Sequence, residues 1–202
     1  MTYLYAATIF LSSFLLFMVQ PLIAKQILPW FGGAAAVWTT CLLFFQGLLL
    51  AGYAYAHLVV KHISPRAQAI LHAALLVASL VSLPIIASPD WKPVGGGTPL
   101  LQIIGLLLFT VGLPYFMLST TGPLVQAWFA RSFPTAIVYR LFALSNFASL
   151  MALIAYPPLI EPAISLVSPR HVRRLALLVF CGSVVLLAAT FVIGVEIKGA
   201  RR

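Results

Sequence analysis

Residues 64–87 read SPRAQAILHAALLVASLVSLPIIA and residues 168–195 read SPRHVRRLALLVFCGSVVLLAATFVIGV, so the same tripeptide twice opens a long apolar helix. Proline fits the first turn of a helix, where its missing N–H would be unpaired in any case. Aligning the two halves at an offset of about one hundred residues also pairs Pro21-Leu22-Ile23 with Pro123-Leu124-Val125, and Trp30-Phe31 roughly with Trp128-Phe129. Farther along, Val37-Trp38 falls on Val138-Tyr139, Leu43 on Leu144, Leu49 on Leu150, Ala51 on Ala152 and Ala54-Tyr55 on Ala155-Tyr156. Matches among apolar residues are cheap, so Ser64-Pro65-Arg66 and Ser168-Pro169-Arg170 carry most of the weight. The chain reads as one three-helix unit written twice.

Around that repeat the composition is 62% hydrophobic and only 7% charged, against about 25% charged in soluble domains. This is the composition of a membrane protein. Several apolar runs approach the ~20 residues that cross a hydrocarbon core as a helix, and the period-2 alternation of a transmembrane barrel is absent. The first run begins at Tyr3 with no basic residue before it and no polar cleavage region after it, so it reads as a retained helix. A net charge of +9 would point a soluble protein toward nucleic acid. Here the basic residues sit mainly at helix ends, beside anionic headgroups, and no nucleic-acid partner is expected. Cys41 and Cys181 both fall within apolar helices and imply no disulfide framework.

Six spans follow: Tyr3 to Ala24, Ala35 to Val60, Ala67 to Ala87, Leu100 to Thr121, Thr135 to Tyr156 and Val172 to Val195. Pro29 to Gly33 and Ser64-Pro65 are turns, Ser88 to Pro99 is a glycine-rich connector, and Pro157 to Pro169 is a second connector whose Leu159 to Val167 could lie in the interface. The whole is one membrane domain over 1–202, with repeats over about 1–87 and 100–196 and a basic tail at 197–202. Extended to Arg131, the fourth span would reach roughly 48 Å as a straight helix and must bend, tilt or break. Pro114 and Gly122-Pro123 are the expected kinks, with Pro21 doing the same in the first helix. The reading is a structural kink; the functional alternative is a pair of substrate-facing breaks at matching repeat positions.

Three helices per unit is an odd number, so the second copy inserts upside down. With both termini cytoplasmic, that side receives Lys61, Arg66, Arg131, Arg140, Lys198, Arg201 and Arg202, and the other receives Lys25, Lys92, Arg170, Arg173 and Arg174. The excess is small and favours termini inside.

Residues for chemistry are sparse. The acidic residues are Asp90, Glu161 and Glu196, all in connectors or at a helix end, and His57, His62, His72 and His171 lack metal-binding spacing. His57 and His72 could in principle hold a haem between helices two and three, but histidines at membrane ends more often snorkel or cap, and no cofactor or metal is expected. Gly95-Gly96-Gly97 lacks the strand and helix that would make it a phosphate loop. No Ser, His and Asp triad can be assembled. Within the spans the conspicuous polar residues are Gln20, Gln46, Gln126, Arg140 and Asn146. Arg140 lies near a helix start and can snorkel, whereas Asn146 lies deep enough that its amide needs a partner across helices, with Gln46 the proposed one. Small residues at Gly47, Ala51, Gly52 and Ala56 on the second helix, and at Ser145, Ala148, Ser149 and Ala152 on the fifth, are expected to let these two middle helices approach.

Several segments carry a resemblance. Phe10 to Phe17 followed by Gln20-Pro21-Leu22-Ile23-Ala24-Lys25, Gly52-Tyr53-Ala54-Tyr55-Ala56-His57, Gly112-Leu113-Pro114-Tyr115-Phe116 and Gln126-Ala127-Trp128-Phe129-Ala130-Arg131 form the first part. Tyr139-Arg140-Leu141, Ala143-Leu144-Ser145-Asn146 and Tyr156-Pro157-Pro158-Leu159-Ile160-Glu161-Pro162 complete it. Together they resemble the amino-terminal membrane region of bacterial membrane-bound spermidine synthase-like proteins. The resemblance implies a 3+3 inverted repeat of six transmembrane helices, an all-α polytopic fold similar to half of a major facilitator, in the bacterial inner membrane. It also implies a soluble aminopropyltransferase-type domain in full-length members. The glycine-rich loop and acidic residues of that domain have no counterpart here, so no catalytic residue is carried over. The expectation is a non-enzymatic accessory or scaffold subunit packing against another membrane protein or itself. The alternative is a half-transporter that dimerises or recruits a partner half.

Overall fold

In a computed structural model, residues 2–80, 87, 89–93, 99–134 and 137–162 are described, and all of their regular structure is helical. The elements are α1 (Thr2–Phe31), α2 (Ala35–His62), α3 (Pro65–Leu80), α4 (Pro99–Leu107), α5 (Leu113–Ser132) and α6 (Tyr139–Ala155). A π-helical turn, Leu108–Gly112, joins α4 to α5, and another, Tyr156–Ile160, extends α6. Four of these runs are long and apolar enough to cross a membrane: Thr2–Phe31, Ala35–His62, Pro99–Ser132 and Tyr139–Ile160. The chain is thus an all-α protein of multi-pass membrane character. The expected sixth span, the second Ser-Pro-Arg, Cys181, His171, Glu196 and the glycine run Gly95 to Gly97 lie outside the described residues.

The expected turns carry ordinary stop and start chemistry. α1 runs through Pro29 and ends where Gly32 takes φ +81 and donates its N–H to the Leu28 carbonyl at 2.8 Å, the left-handed cap that glycine accepts without steric cost. α2 stops at Ile63, whose extended backbone still bonds back to Val59, and Pro65 opens α3 as its first residue.

The prolines expected to bend the spans lie within or beside continuous helices. Pro21 lies inside α1 and Pro123 inside α5, and neither helix is interrupted. The fourth span is one run of 34 residues, Pro99–Ser132. Its irregularity is the π turn directly before Pro114, and the second π turn contains Pro157 and Pro158. A widened turn accommodates the proline ring and the missing donor without ending the helix. Between Pro114 and Pro123, Ser119 bonds the Phe116 carbonyl at 2.7 Å, and Thr120 and Thr121 bond that of Met117 at 2.9 and 2.8 Å. Such bonds pair the hydroxyls within their own helix. Helices extend beyond the expected ends at Ala24, Thr121 and Tyr156.

α1 and α5 form the centre and run antiparallel. The Tyr5 ring lies 5.3 Å from that of Phe129, and farther along α1 Gln20 Nε2 donates to Tyr115 Oη at 2.9 Å. α2 lies parallel to α5, through the ring pair Phe45 and Tyr115 at 4.9 Å, Gly52 against Ser119, and Arg131 to the Val60 carbonyl at 3.0 Å. α6 lies parallel to α1, through Ser13 and Ser145 at 2.8 Å, Tyr156 Oη to the Pro21 carbonyl at 3.3 Å, and Lys25 to Glu161 at 2.8 Å. The buried core is built where these layers meet, from Ile9, Ile23 and Ile27 of α1, Leu106 of α4, and Met117 and Leu124 of α5.

This corrects the role given to the small residues. Gly52 and Ala56 face α5, Ser145 and Ala152 face α1, and Gly47 and Ala51 are exposed. Each middle helix lays its small-residue face on a first helix, α2 on α5 and α6 on α1. A Cβ at Gly52 would overlap the Ser119 hydroxyl and stand 2.9 Å from its Cβ, whereas one at Gly47 would meet nothing within 4 Å. Gly52→Ala should therefore destabilise the folded protein by about 1–3 kcal/mol. Gly47→Ala should be neutral, and thermal unfolding in mild detergent compares the two.

Candidate functional site

At the end of the bundle where α1 finishes, α1, α2 and the extension of α6 enclose a groove of about 400 Å³. Its walls are largely apolar, with Leu28 from α1, Trp38, Leu42 and Phe45 from α2, and Leu153 and Tyr156 from α6. Polar groups stand at two levels. Deeper in, Gln20 is tied to Tyr115; nearer the end of α1, Lys25 pairs with Glu161, with both side chains nearly half exposed. Cys41 lines the wall and is a buried free thiol. The parallel course of α1 and α6 aligns the two levels, and the helical continuation through Pro157 and Pro158 carries Glu161 to Lys25.

The same end holds an aromatic and cationic layer. Lys92 Nζ sits 5.5 Å over the Trp30 ring, Trp91 stacks on Phe109 at 5.8 Å and presses on Gly105, and the Ala87 N–H donates to Gln26 Oε1 at 3.1 Å. Trp30, Trp38 and Trp91 with Lys25 and Lys92 are the residue types that collect at a membrane–water interface.

A second polar assembly lies at the opposite end. Gln68, fully buried on α3, donates to the carbonyls of Ile63 at 2.6 Å and Val59 at 3.2 Å, and its Oε1 accepts from Trp128 Nε1 at 2.9 Å and Arg131 at 3.4 Å. One amide thereby closes the end of α2 onto α5. His72, one turn on and also fully buried, has Nε2 3.5 Å from Thr121 Oγ1, while its Nδ1 has no hydrogen-bond partner among the described residues. Gln68, His72 and Ser79 share a single buried face of α3.

Of the residues singled out in the sequence, Gln20 bonds Tyr115 and lines the groove, and Gln126 is buried in α5. Gln46, Arg140 and Asn146 are exposed. Gln46 and Asn146 lie on helices that pack on α5 and α1 respectively, and no hydrogen bond joins them among the described residues. His57 is exposed while His72 is enclosed against α5. The sequence reading gave no site role to Gln68, Tyr115, Trp128 or Arg131. Its missed clue was the polar stripe Gln68, His72 and Ser79 on an otherwise apolar helix, whose spacing puts all three on one face.

Comparison with protein-family models, with curated proteins and with solved structures finds no match.

The two polar assemblies should differ in weight. Gln68→Leu removes the acceptor of the Trp128 indole N–H and the side-chain donor to the buried Ile63 carbonyl, and is expected to cost about 1–3 kcal/mol. Lys25→Met breaks an exposed ion pair and should cost under about 1 kcal/mol. Denaturant titrations of the detergent-solubilised variants measure both.

Proposed function

We propose that the chain is a non-catalytic integral membrane module of the bacterial inner membrane that serves as an accessory or scaffold subunit, docking another membrane protein on the outer faces of α2 and α6. One observation carries this reading. Gln46 is exposed amid Leu43, Leu50 and Tyr53, and Asn146 is exposed amid Phe142, Leu150 and Ile154. Each amide therefore sits within an apolar stripe on one helical face. In hydrocarbon a primary amide gains by finding a hydrogen-bond partner on another helix, whereas the surrounding side chains accept lipid or protein equally well. Phe142 faces outward as a docking residue would, while Phe45 is buried in the groove wall.

The proposal includes the six-helix inverted repeat, supported by the crosswise packing. Exchanging the halves converts α1 with α6 into α5 with α2, and both pairs are parallel and close. Under the same exchange Ser13 and Ser145 map onto Tyr115 and Phe44, beside the observed ring pair of Tyr115 with Phe45. It also includes the kinship with spermidine synthase-like membrane regions. Three of the segments behind that resemblance converge at the groove, through Gln20 with Tyr115 and Lys25 with Glu161. Cytoplasmic termini are supported by Lys61, Arg66, Arg131 and Arg140 at the end of the bundle opposite Lys25 and Lys92.

The repeat symmetry favours a second reading, the half-transporter, for which Gln20, Gln46, Gln126 and Asn146 would have to line one wet path. Gln46 and Asn146 stand outside the groove that Gln20 lines, which weighs toward the scaffold. Gentle extraction followed by native mass measurement separates the two. Stoichiometric recovery with another membrane chain, reduced about tenfold by Gln46→Leu with Asn146→Leu, is the expected outcome. A homodimer whose substrate uptake is abolished by those substitutions would replace the scaffold with the transporter.

A further inference from the structure

The groove beside α1 is ordered by depth in a way that matches an amphiphile. Gln20, already held by Tyr115, and the apolar side chains of Phe45 and Leu153 lie toward its inner end, while Lys25 and Glu161 stand toward the end of α1. Lys25 lies five residues beyond Gln20, a rise of about 7.5 Å along the helix. Trp38 lines the groove, and Trp30 with Lys92 stands at the same end of the bundle, so the ion pair sits at the depth where headgroups sit and the apolar wall where acyl chains sit.

The geometry points to a bound glycerophospholipid with a zwitterionic, primary-ammonium headgroup, its phosphate on Lys25, its ammonium on Glu161 and an acyl chain along Leu42, Phe45 and Leu153. Both charged side chains retain capacity for this. The Lys25 ammonium carries three donors and spends one on Glu161 Oε1, and the carboxylate keeps acceptor positions on both oxygens. Charge complementarity selects the headgroup. An anionic lipid without an amine would satisfy Lys25 but set its phosphate against the Glu161 carboxylate. A quaternary choline has no N–H to give Glu161, and its usual alternative, a cage of aromatic faces, is not built by Trp38 alone. A phosphoethanolamine head meets both charges.

Trp38 is 46% exposed and lines the groove, which makes it an optical reporter. The full chain is placed in nanodiscs containing phospholipids brominated on the acyl chains, and the difference in fluorescence quenching between wild type and Trp38→Phe isolates this residue. Brominated phosphatidylethanolamine should quench Trp38 at roughly tenfold lower mole fraction than brominated phosphatidylglycerol or phosphatidylcholine, the discrimination that one retained charge-assisted hydrogen bond supplies. Glu161→Gln and Lys25→Met should each erase that preference. Native mass spectrometry of delipidated wild type and Lys25→Met gives a readout independent of Trp38→Phe: retained phosphatidylethanolamine should fall in the variant. Equal quenching by all three lipids, a preference for phosphatidylglycerol or phosphatidylcholine, or no quenching of Trp38 would each overturn the assignment.

Discussion

The antiparallel contact between α1 and α5 combines an apolar seam with polar closure, and the placement of the other helices depends on it. Ile9, Ile23 and Ile27 from one helix and Met117 and Leu124 from the other are fully buried near it, and Gln20 donates to Tyr115 across it. In water an apolar seam of this kind would be driven by burial alone. Between lipid tails that force is absent, and close packing with shared hydrogen bonds has to hold the helices. α2 then has α5 to lie on, and α6 has α1. The small residues that permit close approach, Gly52 on one and Ser145 on the other, face inward toward those partners.

The same constraint explains how the polar groups are distributed. Serines and threonines within the spans mostly bond carbonyls of their own helix, as Thr8 does to Leu4, Ser12 to Ile9 and Thr40 to Ala36. Larger polar side chains cannot be absorbed locally and become joints between helices: Gln68 closes α2 and α3 onto α5, and Gln20 joins α1 to α5. Gln46 and Asn146 belong to the same class of residue but face outward. That contrast within one chain underlies both the docking faces and the separate character of the groove.

Much of the architecture was legible before any coordinates. The apolar runs, the glycines that end the expected Pro29 to Gly33 turn and the Ser64-Pro65 start of α3 are local features, set by side-chain hydrophobicity and backbone preference. Helix ends were read too short at Ala24, Thr121 and Tyr156, since hydropathy reports only the stretch that lipid demands. Pro21 and Pro123 sit in continuous helices, whereas Pro114 follows a π turn and Pro157 lies within one, a widening that hydropathy does not report.

The sequence alone determined that this is a helical membrane protein, approximately where four of its spans lie, and which few amides and charges would have to be accounted for within them. Those are consequences of hydrocarbon excluding unpaired backbone and charge, a condition that acts on each segment separately. Which helix lies on which was decided only in three dimensions. The small residues of α2 fit any close neighbour, and only the assembled bundle gives them α5. Gln46 and Asn146 are compatible in sequence with pairing to each other, yet their rotational positions on α2 and α6 expose both. Lys25 and Glu161 are far apart in the chain, and they meet because α6 runs parallel to α1 and continues as helix past Pro157 and Pro158. Pairings of this kind depend on the relative rotation and depth of whole helices, quantities to which no single residue or local pattern is confined.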